Sequence, residues 1–531
     1  MNADSGKHAL VVFEDEHLLV INKPAGLNTH APSPYAGEGI YEWLKNRDPR
    51  WAKLAIIHRL DKDTSGLMVF GKSSVANKSL TSQFATRRVR KAYIIVTDKA
   101  VSFAQFTARS KLVRVNERYA SNKEKGDLAE TVFRKLPPQG DNPRLTWVEA
   151  QPLTGRTHQI RVHATENGFP ILGDPIYGGS PAPRLCLHAA ELSFEHPATG
   201  RVVSFKAEPN FFENPRLAIR HQLIDAQSTN AYRVIHGASD GNAGFFVDRF
   251  GDWLLAQSER PLINQQQTLL NNLMRDLACR GVYHKLLRKE VQKAGAVEAS
   301  PQPIFGEAAP QQWTICENGL QYAIRFSEGY SVGIFLDQRD NRARLLTGYV
   351  APEFRLPSGG EVLNSFAYTC AFSVAAAKAG HRVTSLDLSR GYLDWGKENF
   401  QLNSLDPAQH DFIYGDAFDW FRRMAKQNRL FDAVLLDPPT FSRSKEGTFQ
   451  AERDYGKLVS AALPLIKRNG VLFASTNAAK LKPEDYLKSI AQSVAMANRK
   501  IVQQHYVPQP PDFPITREQP GYLKTVWMRL S

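Results

Sequence analysis

Cysteine is scarce in this 531-residue chain: Cys186, Cys279, Cys316 and Cys370 stand far apart. No two have the spacing of metal ligands or of a redox pair, so a zinc site and a disulfide framework are both excluded from expectation. That usage suits a reducing cytoplasm, the expected location. The histidines show no metal-ligand spacing either, and no metal is expected. No apolar run approaches membrane-spanning length, so no membrane partner is expected. The opening "MNADSGKHALVVFEDEHLLV" lacks the basic start and long apolar stretch of a secretory signal. The glycine-rich dinucleotide fingerprint is missing, which disfavours a nicotinamide cofactor. Internal repeats and low-complexity tracts are missing too.

What is present is charge of one sign. The net charge is +14, with 42% hydrophobic and 23% charged residues. Such a chain is globular, attracts polyanions such as RNA, and at this length divides into two or three domains. Residues 1–212 hold short β-like runs ("LLVINKP", "GLMVFGKS", "KAYIIVTD", "RLTWVEAQPL", "RVVSFKA") punctuated by Gly, Pro and Asn, predicting a mixed α/β, mostly antiparallel domain. Residues 213–229 read as a linker helix. Residues 230–328 form a small α+β domain, with two strands in "YRVIHGASDGNAGFFVDRFGDWLLAQ", a helix in "QQQTLLNNLMRDLACRG" and a type I′ hairpin at the Asn-Gly of "WTICENGLQYAIRF". Residues 329–531 alternate strands and helices strictly. This predicts a Rossmann-like α/β domain with a mostly parallel sheet, closed by "YLKTVWMRL" as an antiparallel edge strand.

Ligands of such sheets sit at the carboxyl ends of the strands. Here "NSFAYTCAFS" follows the first strand, a loop of small residues whose backbone amides (Asn364, Phe366, Tyr368, Thr369) can meet an anionic group. Asp387 ends the second strand, roughly 20 residues on, the usual place for an acid on ribose hydroxyls. Asp416 follows the third and is placed to reach an adenine edge, and "LDPPTF" with Asp437 follows the fourth. Helix capping is the competing reading of any one such acid. Three in register, with Asp-Pro-Pro, favour a site.

These segments, "VLNSFAYTCAFSVAAA", "SLDLSRGYLDWGKENFQLN" and "LDPPTFSRSK", resemble the class I S-adenosylmethionine-dependent methyltransferases, and within them the RlmI/RlmK group of ribosomal RNA enzymes. The resemblance implies S-adenosylmethionine as cofactor and places Asp337 and Arg339, in "SVGIFLDQRDNR", near its methionine end. Cys370 departs from it, standing where relatives commonly have Gly. Cytosine C5 needs a cysteine to add to C6 before methylation, and neither "LDPPTF" nor "FASTNAAK" holds one. Guanine N7 needs only positioning beside a methyl donor. "DPPTFSRSK" and "STNAAK" are closer to the guanine-N7, RlmK-type branch, with Asp437 shaping the base pocket, Phe441 as stacking surface, and Arg443 and Lys445 on phosphates in a flexible loop.

"IIHRLDKDTSGLMV" brackets Asp61 with Arg59, Lys62 and Asp63 in an otherwise apolar stretch. Alone it reads as a surface turn with an ion pair. "RRVRKAYIIV" sets Tyr93 at the start of an apolar strand, and "PLTGRTHQIRVHATENGFPILGDPIYGG" predicts a helix capped by Thr157, stopped at Gly168 and Pro170, and carrying Arg161. Together they resemble the RluA family of pseudouridine synthases. That chemistry uses no cofactor. It breaks the bond from N1 to C1′, turns the base and rejoins it through C5. The resemblance implies Asp61 as the initiating carboxylate, Arg161 as the guanidinium that keeps it ionised, Tyr93 as the group that takes the C5 proton, and Arg59 as the residue entering the RNA stack when the nucleotide flips out. Arg156 joins the RNA-binding set. The whole reads as a bifunctional RNA-modifying enzyme, acting on ribosomal rather than transfer RNA. The alternatives are a single activity with one half, the methyltransferase, as a silent RNA-binding module, a transfer-RNA substrate, or methylation at cytosine C5. "SNKEKGDLAE" reads as a solvated loop.

Overall fold

The computed structural model describes residues 10–116, 118–139, 142–287, 300–328, 331–444 and 447–531. Contacts divide the chain into two compact units: the first takes Met1–Pro32, Glu38–Lys45 and Arg50–Ile224, the second Ser33–Gly37, Asn46–Pro49 and Asp225–Ser531.

An 11-stranded sheet is the frame of the first unit. All its pairings are antiparallel except that of Leu187–Glu195 with Ser65–Gly71. The strands obey a period of two. In Leu18–Lys23 and Ser65–Gly71, Leu19, Ile21, Met68 and Phe70 enter one core, while Leu18, Val20, Leu67 and Val69 enter the core on the other face. "SNKEKGDLAE" is a loop only over its exposed middle, residues 123–126. Its first residues close the strand Arg118–Asn122 and its last open Asp127–Lys135, both paired with Gln105–Val115. The helix predicted after "TGRT" spans Gln159–Glu166, but Thr157 does not cap it. The N-cap is His158 with φ 55°, and the Gln159 side chain instead folds back to accept from the Arg156 amide at 3.0 Å. Asn214 caps the helix Pro215–Leu223 within the expected linker, accepting from the Arg216 amide at 3.0 Å.

Two sheets dominate the second unit. "YRVIHGASDGNAGFFVDRFGDWLLAQ" makes three strands rather than two (Ala231–His236, Phe245–Phe250, Trp253–Ser258), because Gly251 at φ 64° turns the chain a second time. The next strand, Gly281–Leu286, runs parallel to Trp253–Ser258 after the helix Asn264–Asp276. The "ENG" hairpin has Asn318 at φ 52° and Gly319 at φ 78°, the two positive angles a type I′ turn needs.

Counted along the chain from Glu361–Ser365, the seven strands of the larger sheet lie across it in the order 3-2-1-4-5-7-6. The first five are parallel. The last, Lys524–Leu530, is antiparallel but is not the edge strand that was expected. It lies between Ile466–Thr476 and Ile501–Val507. Its composition gives the reason: Trp527 enters the core on one face and Val526 and Met528 that on the other, so both faces need cover. Ile501–Val507, with alternate residues half-buried and exposed, takes the edge. No helix among the described residues is long and apolar enough to cross a membrane.

Candidate active sites

Three distant stretches of sequence meet around a cleft of about 1450 Å³ in the first unit. The strand Arg90–Thr97 contributes Lys91 and Tyr93, the 56–64 segment contributes Arg59 and Asp61, and the approach and first turn of the helix Gln159–Glu166 contribute Arg156, His158 and Arg161.

The turn that carries Asp61 is clamped from behind. The Thr29 hydroxyl donates to the Leu60 carbonyl at 2.8 Å, the Gly26 amide to the Lys62 carbonyl at 2.8 Å, and the Lys23 ammonium to the Lys62, Pro24 and Leu27 carbonyls at 3.1, 2.7 and 2.7 Å. Lys23 is wholly buried, and burial pushes its pKa down to about 7 against the opposing pull of Asp63 and Asp61. Sequence reasoning missed it. Its one signal is a lysine closing the apolar run of "LLVINKP".

Arg161 does not grip Asp61. Its Nε and Nη2 both donate to Asp174, at 2.7 and 2.7 Å, and Asp174 is fully buried and also accepts from the Ile176 and Tyr177 amides at 3.2 and 3.2 Å. The group found beside Asp61 is His158, its Nε2 3.9 Å from Oδ2. Burial, aided by Arg161, pushes the His158 pKa below the ordinary histidine value, so it is neutral near pH 7. The expected clamp is therefore a relay. Asp174 fixes the guanidinium, and the guanidinium supplies its field to an Asp61 side chain that remains 37% exposed and open to the cleft. Asp174 lies in "ILGDPIYG", thirteen residues on, and nothing in the spacing ties it to Arg161.

Burial, and secondarily the negative charge of Asp61, raises the Tyr93 phenol well above the ordinary tyrosine value, so it stays protonated at neutral pH. Arg59 and Arg156 are exposed at the rim. Arg156 lies 3.4 Å from Asp127 and donates to the Leu128 carbonyl at 3.3 Å.

In the second unit the carboxyl ends of strands one, two, four and five converge. The loop after Glu361–Ser365 holds Phe366, Tyr368 and Cys370 at φ 62°, 49° and 63°, alternating left-handed residues that aim successive amides differently. The Tyr368 amide donates to Asp387 Oδ2 at 2.8 Å and the Ser389 amide to Oδ1 at 2.8 Å, so Asp387 holds this loop while burial raises its pKa. Asn364 and Thr369 are buried, their side chains bonded to Ser373 Oγ (2.9 Å) and the Gly333 carbonyl. Asp416 caps the helix Ala417–Lys426, accepting from Phe418 and Asp419 amides at 2.9 and 3.2 Å with one oxygen and leaving the other. Cys370 turns away from the loop. A Cβ on Gly396 would stand 2.4 Å from its sulfur, so a glycine in the facing helix Arg390–Leu402 makes the room this cysteine needs.

Asp437 is partly buried. Gln338 Nε2 donates to both its oxygens at 3.2 Å and to Ser475 Oγ at 2.7 Å. Burial and the neighbouring Asp337 carboxylate push the Asp437 pKa up to about 6, with Ser475 pulling the other way. Asp337 accepts from Tyr522 OH at 2.8 Å and is itself raised by burial. Arg339 is committed elsewhere, forked onto Asp512 at 2.9 and 2.6 Å. Phe441 is 44% exposed on the strand Phe441–Ser444, which pairs with Gly447–Gln450, so "FSRSKEG" begins as a hairpin rather than a flexible loop. Arg443 falls on that strand, and Lys445 lies outside the described residues. Gln338, Ser475 and Tyr522 are the site residues that sequence reasoning passed over. Gln338 sat within the quoted "FLDQR", next to the chosen Asp337.

The donor set fits S-adenosylmethionine. Asp337 and Asp437 form no ion pair among the described residues, which suits a ligand bearing an ammonium and a sulfonium. Phe335, half-exposed, and Tyr392 flank Tyr368 with ring centroids at 5.3 and 4.6 Å, an aromatic mouth suited to a purine.

Comparison with known proteins agrees with both geometries. Residues 17–166 match the RNA pseudouridylate synthase family and residues 278–529 the S-adenosylmethionine-dependent methyltransferase family. The chain is 33% identical over 317 residues, 58% of its own length and 77% of the relative's, to "Putative ribosomal RNA large subunit methyltransferase YwbD" of Bacillus subtilis (strain 168). It is 30% identical over 308 residues, 57% and 75% of the two lengths, to "Ribosomal RNA large subunit methyltransferase I" of Klebsiella pneumoniae (strain 342). The solved structure of "a putative methyltransferase complexed with SAH" superposes with a TM-score of 0.52 at 30% identity, covering 59% of this chain and 79% of that one. The chain belongs to the S-adenosylmethionine-dependent RNA methyltransferases and carries an RNA pseudouridylate synthase domain ahead of the methyltransferase domain.

Proposed function

We propose that this chain is a bifunctional, cytoplasmic enzyme that isomerises uridine to pseudouridine in the Asp61 cleft and methylates guanine N7 at the Asp437 recess, both in large-subunit ribosomal RNA. The observation that carries the reading is the pair of separately built carboxylate sites. The relatives' names, ribosomal RNA large subunit methyltransferases, support the RNA class.

In the first site Asp61 starts the reaction, by attack on C1′ or C6 or by removing the 2′ proton, while Arg161, held by Asp174, steadies its charge. Tyr93 covers the base with its ring. Tyr93 starts as a phenol, so it must first give its own proton to cleft water; when Asp61 loses its charge in bonding or taking a proton, the smaller of the two effects raising the Tyr93 pKa disappears, which eases that loss and leaves a phenolate to take the C5 proton. Arg59 at the rim fills the stack that the flipped nucleotide leaves. In the second site the bound cofactor supplies a methyl group on a cationic sulfur. Asp337 and Asp437 face that positive charge, Gln338 and Ser475 fix Asp437, and the Pro438–Pro439 backbone and Phe441 hold the base against it.

Guanine N7 is favoured over cytosine C5 on the position of the thiols. Cys370 is buried against Gly396, Cys279 is buried near the helix Asn264–Asp276, Cys316 lies in the "ENG" hairpin and Cys186 belongs to the first unit. None is among the groups that contact Asp437, and neither "LDPPTF" nor "FASTNAAK" holds a thiol, so the covalent adduct that C5 methylation requires lacks a nucleophile. The test is nucleoside mass spectrometry of 23S-type RNA from cells with and without the protein. Loss of one pseudouridine and one 7-methylguanosine on deletion is expected. Loss of a methylcytidine with 7-methylguanosine unchanged overturns the base, and no lost pseudouridine overturns the first activity.

A further inference from the structure

Lys91 lines the Asp61 cleft on the same strand face as Tyr93, two residues away, about 7 Å along the strand. The chemistry above gives it no task. It is drawn in beside the turn of "LTGRT", where a Cβ added to Gly155 would stand 3.8 Å from its Nζ, with the Phe84 ring centroid 6.0 Å off. Burial lowers its pKa with no carboxylate opposing. No hydrogen bond or ion pair joins its ammonium among the described residues, whereas Arg156 and Arg161 in the same wall are paired with Asp127 and Asp174. A half-buried ammonium with no protein partner is one that a ligand anion can complete. The cleft lining carries seven Lys and Arg side chains against four carboxylates, so it favours an anion. Uracil is neutral. The anion that an RNA brings at each nucleotide is its phosphodiester, and a lysine binds it as a compact point charge.

We propose that Lys91 and the Gly155 turn form a phosphodiester subsite of this cleft, which takes the backbone phosphate beside the target uridine and adds to the affinity for RNA. This rests on the pseudouridine synthase reading of the cleft and adds a substrate contact to it.

The experiment follows pseudouridine formation by the full chain, with RNA from cells lacking the protein, at rising KCl. Lys91→Gln is expected to raise KM for RNA about 10-fold, the scale of one charged contact, with kcat within about twofold. It should also flatten the dependence of log kcat/KM on log salt by about 0.7 to 0.9, the mark of one phosphate. Lys91→Arg should restore the slope. A fall in kcat with KM and slope unchanged overturns the subsite, as does Lys91→Arg behaving like Lys91→Gln. Should the wild-type chain form no pseudouridine, the parent reading falls, and anisotropy with single-stranded oligouridine tests the subsite alone: a flattened salt slope for Lys91→Gln supports it and an unchanged slope overturns it. Equal thermal unfolding of the variants separates binding from folding.

Discussion

The two units each place an aspartate at the centre of a site, and the two aspartates are treated in opposite ways. Asp61 opens onto a wide cleft, keeps more than a third of its side-chain surface, and has a guanidinium and an imidazole nearby. Asp437 is also only partly buried by surface, but it has a second carboxylate as neighbour and is raised to about 6. A carboxylate that must do chemistry on a large flexible polymer needs access and a steady charge. One that faces a cationic ligand can be left short of counter-charge, because the ligand supplies it. The same residue type is therefore set for two tasks by its surroundings.

The sharpest way to break this comparison is Asp61→Asn. Pseudouridine formation should fall by about 10³-fold or more while methylation is kept, read by nucleoside mass spectrometry on the same RNA. If methylation falls with it, the sites are not independent. Next in size is Asp174→Ala. It strands a buried guanidinium and should cost the first unit about 3–5 kcal/mol, measured as the shift of its denaturant transition, whereas Asp61→Asn should move that transition by under about 1 kcal/mol. Smaller again is Gly396→Ala, which drives a methyl group into the Cys370 sulfur and should cost the second unit about 1–3 kcal/mol. Adding Cys370→Gly should recover most of it.

The smallest effect sharpens the contrast through pH. Asp437 titrates near 6 in the folded chain against an ordinary 3.8, so the folded state binds its proton more tightly than the unfolded state does. Its ionisation therefore takes stability away as pH rises from about 4 through 6, and the loss is complete above that. Asp437→Asn removes the titration. Its thermal midpoint should exceed that of the wild type by a few degrees at pH 8 and by little at pH 4, with scanning calorimetry as the measure. Equal shifts at both pH values would show that the carboxylate does not carry the strain.

Much of the architecture was legible in the chain itself. Unbroken apolar runs in "LLVINKP" and "FDAVLLD" specify strands buried on both faces, and Asn-Gly in "ENGLQ" specifies its own turn, because these signals are local. The expected edge strand failed because edge or interior is a property of neighbours. Lys524–Leu530 shows apolar side chains to both faces, a pattern that reads correctly only once the strands beside it are known. Thr157 failed as a cap because the helix starts one residue later, behind a left-handed His158 that makes no side-chain cap, while the Gln159 side chain ties back to the Arg156 amide.

At the sites the division is similar. Residue types and motif spacing determined which side chains were candidates: Asp61, Tyr93 and Arg161 do line one cleft, and Asp337, Asp387 and Asp437 lie at one end of one sheet region. Only the tertiary structure decided who holds whom. Asp174 behind Arg161, Lys23 beneath the Asp61 turn, Gln338 across Asp437 and Gly396 beside Cys370 are pairings between segments that the chain keeps apart, and their strength comes from burial. Sequence carries the chemistry of a side chain; exclusion of water around it, which sets both its charge and its partner, exists only after the chain has closed.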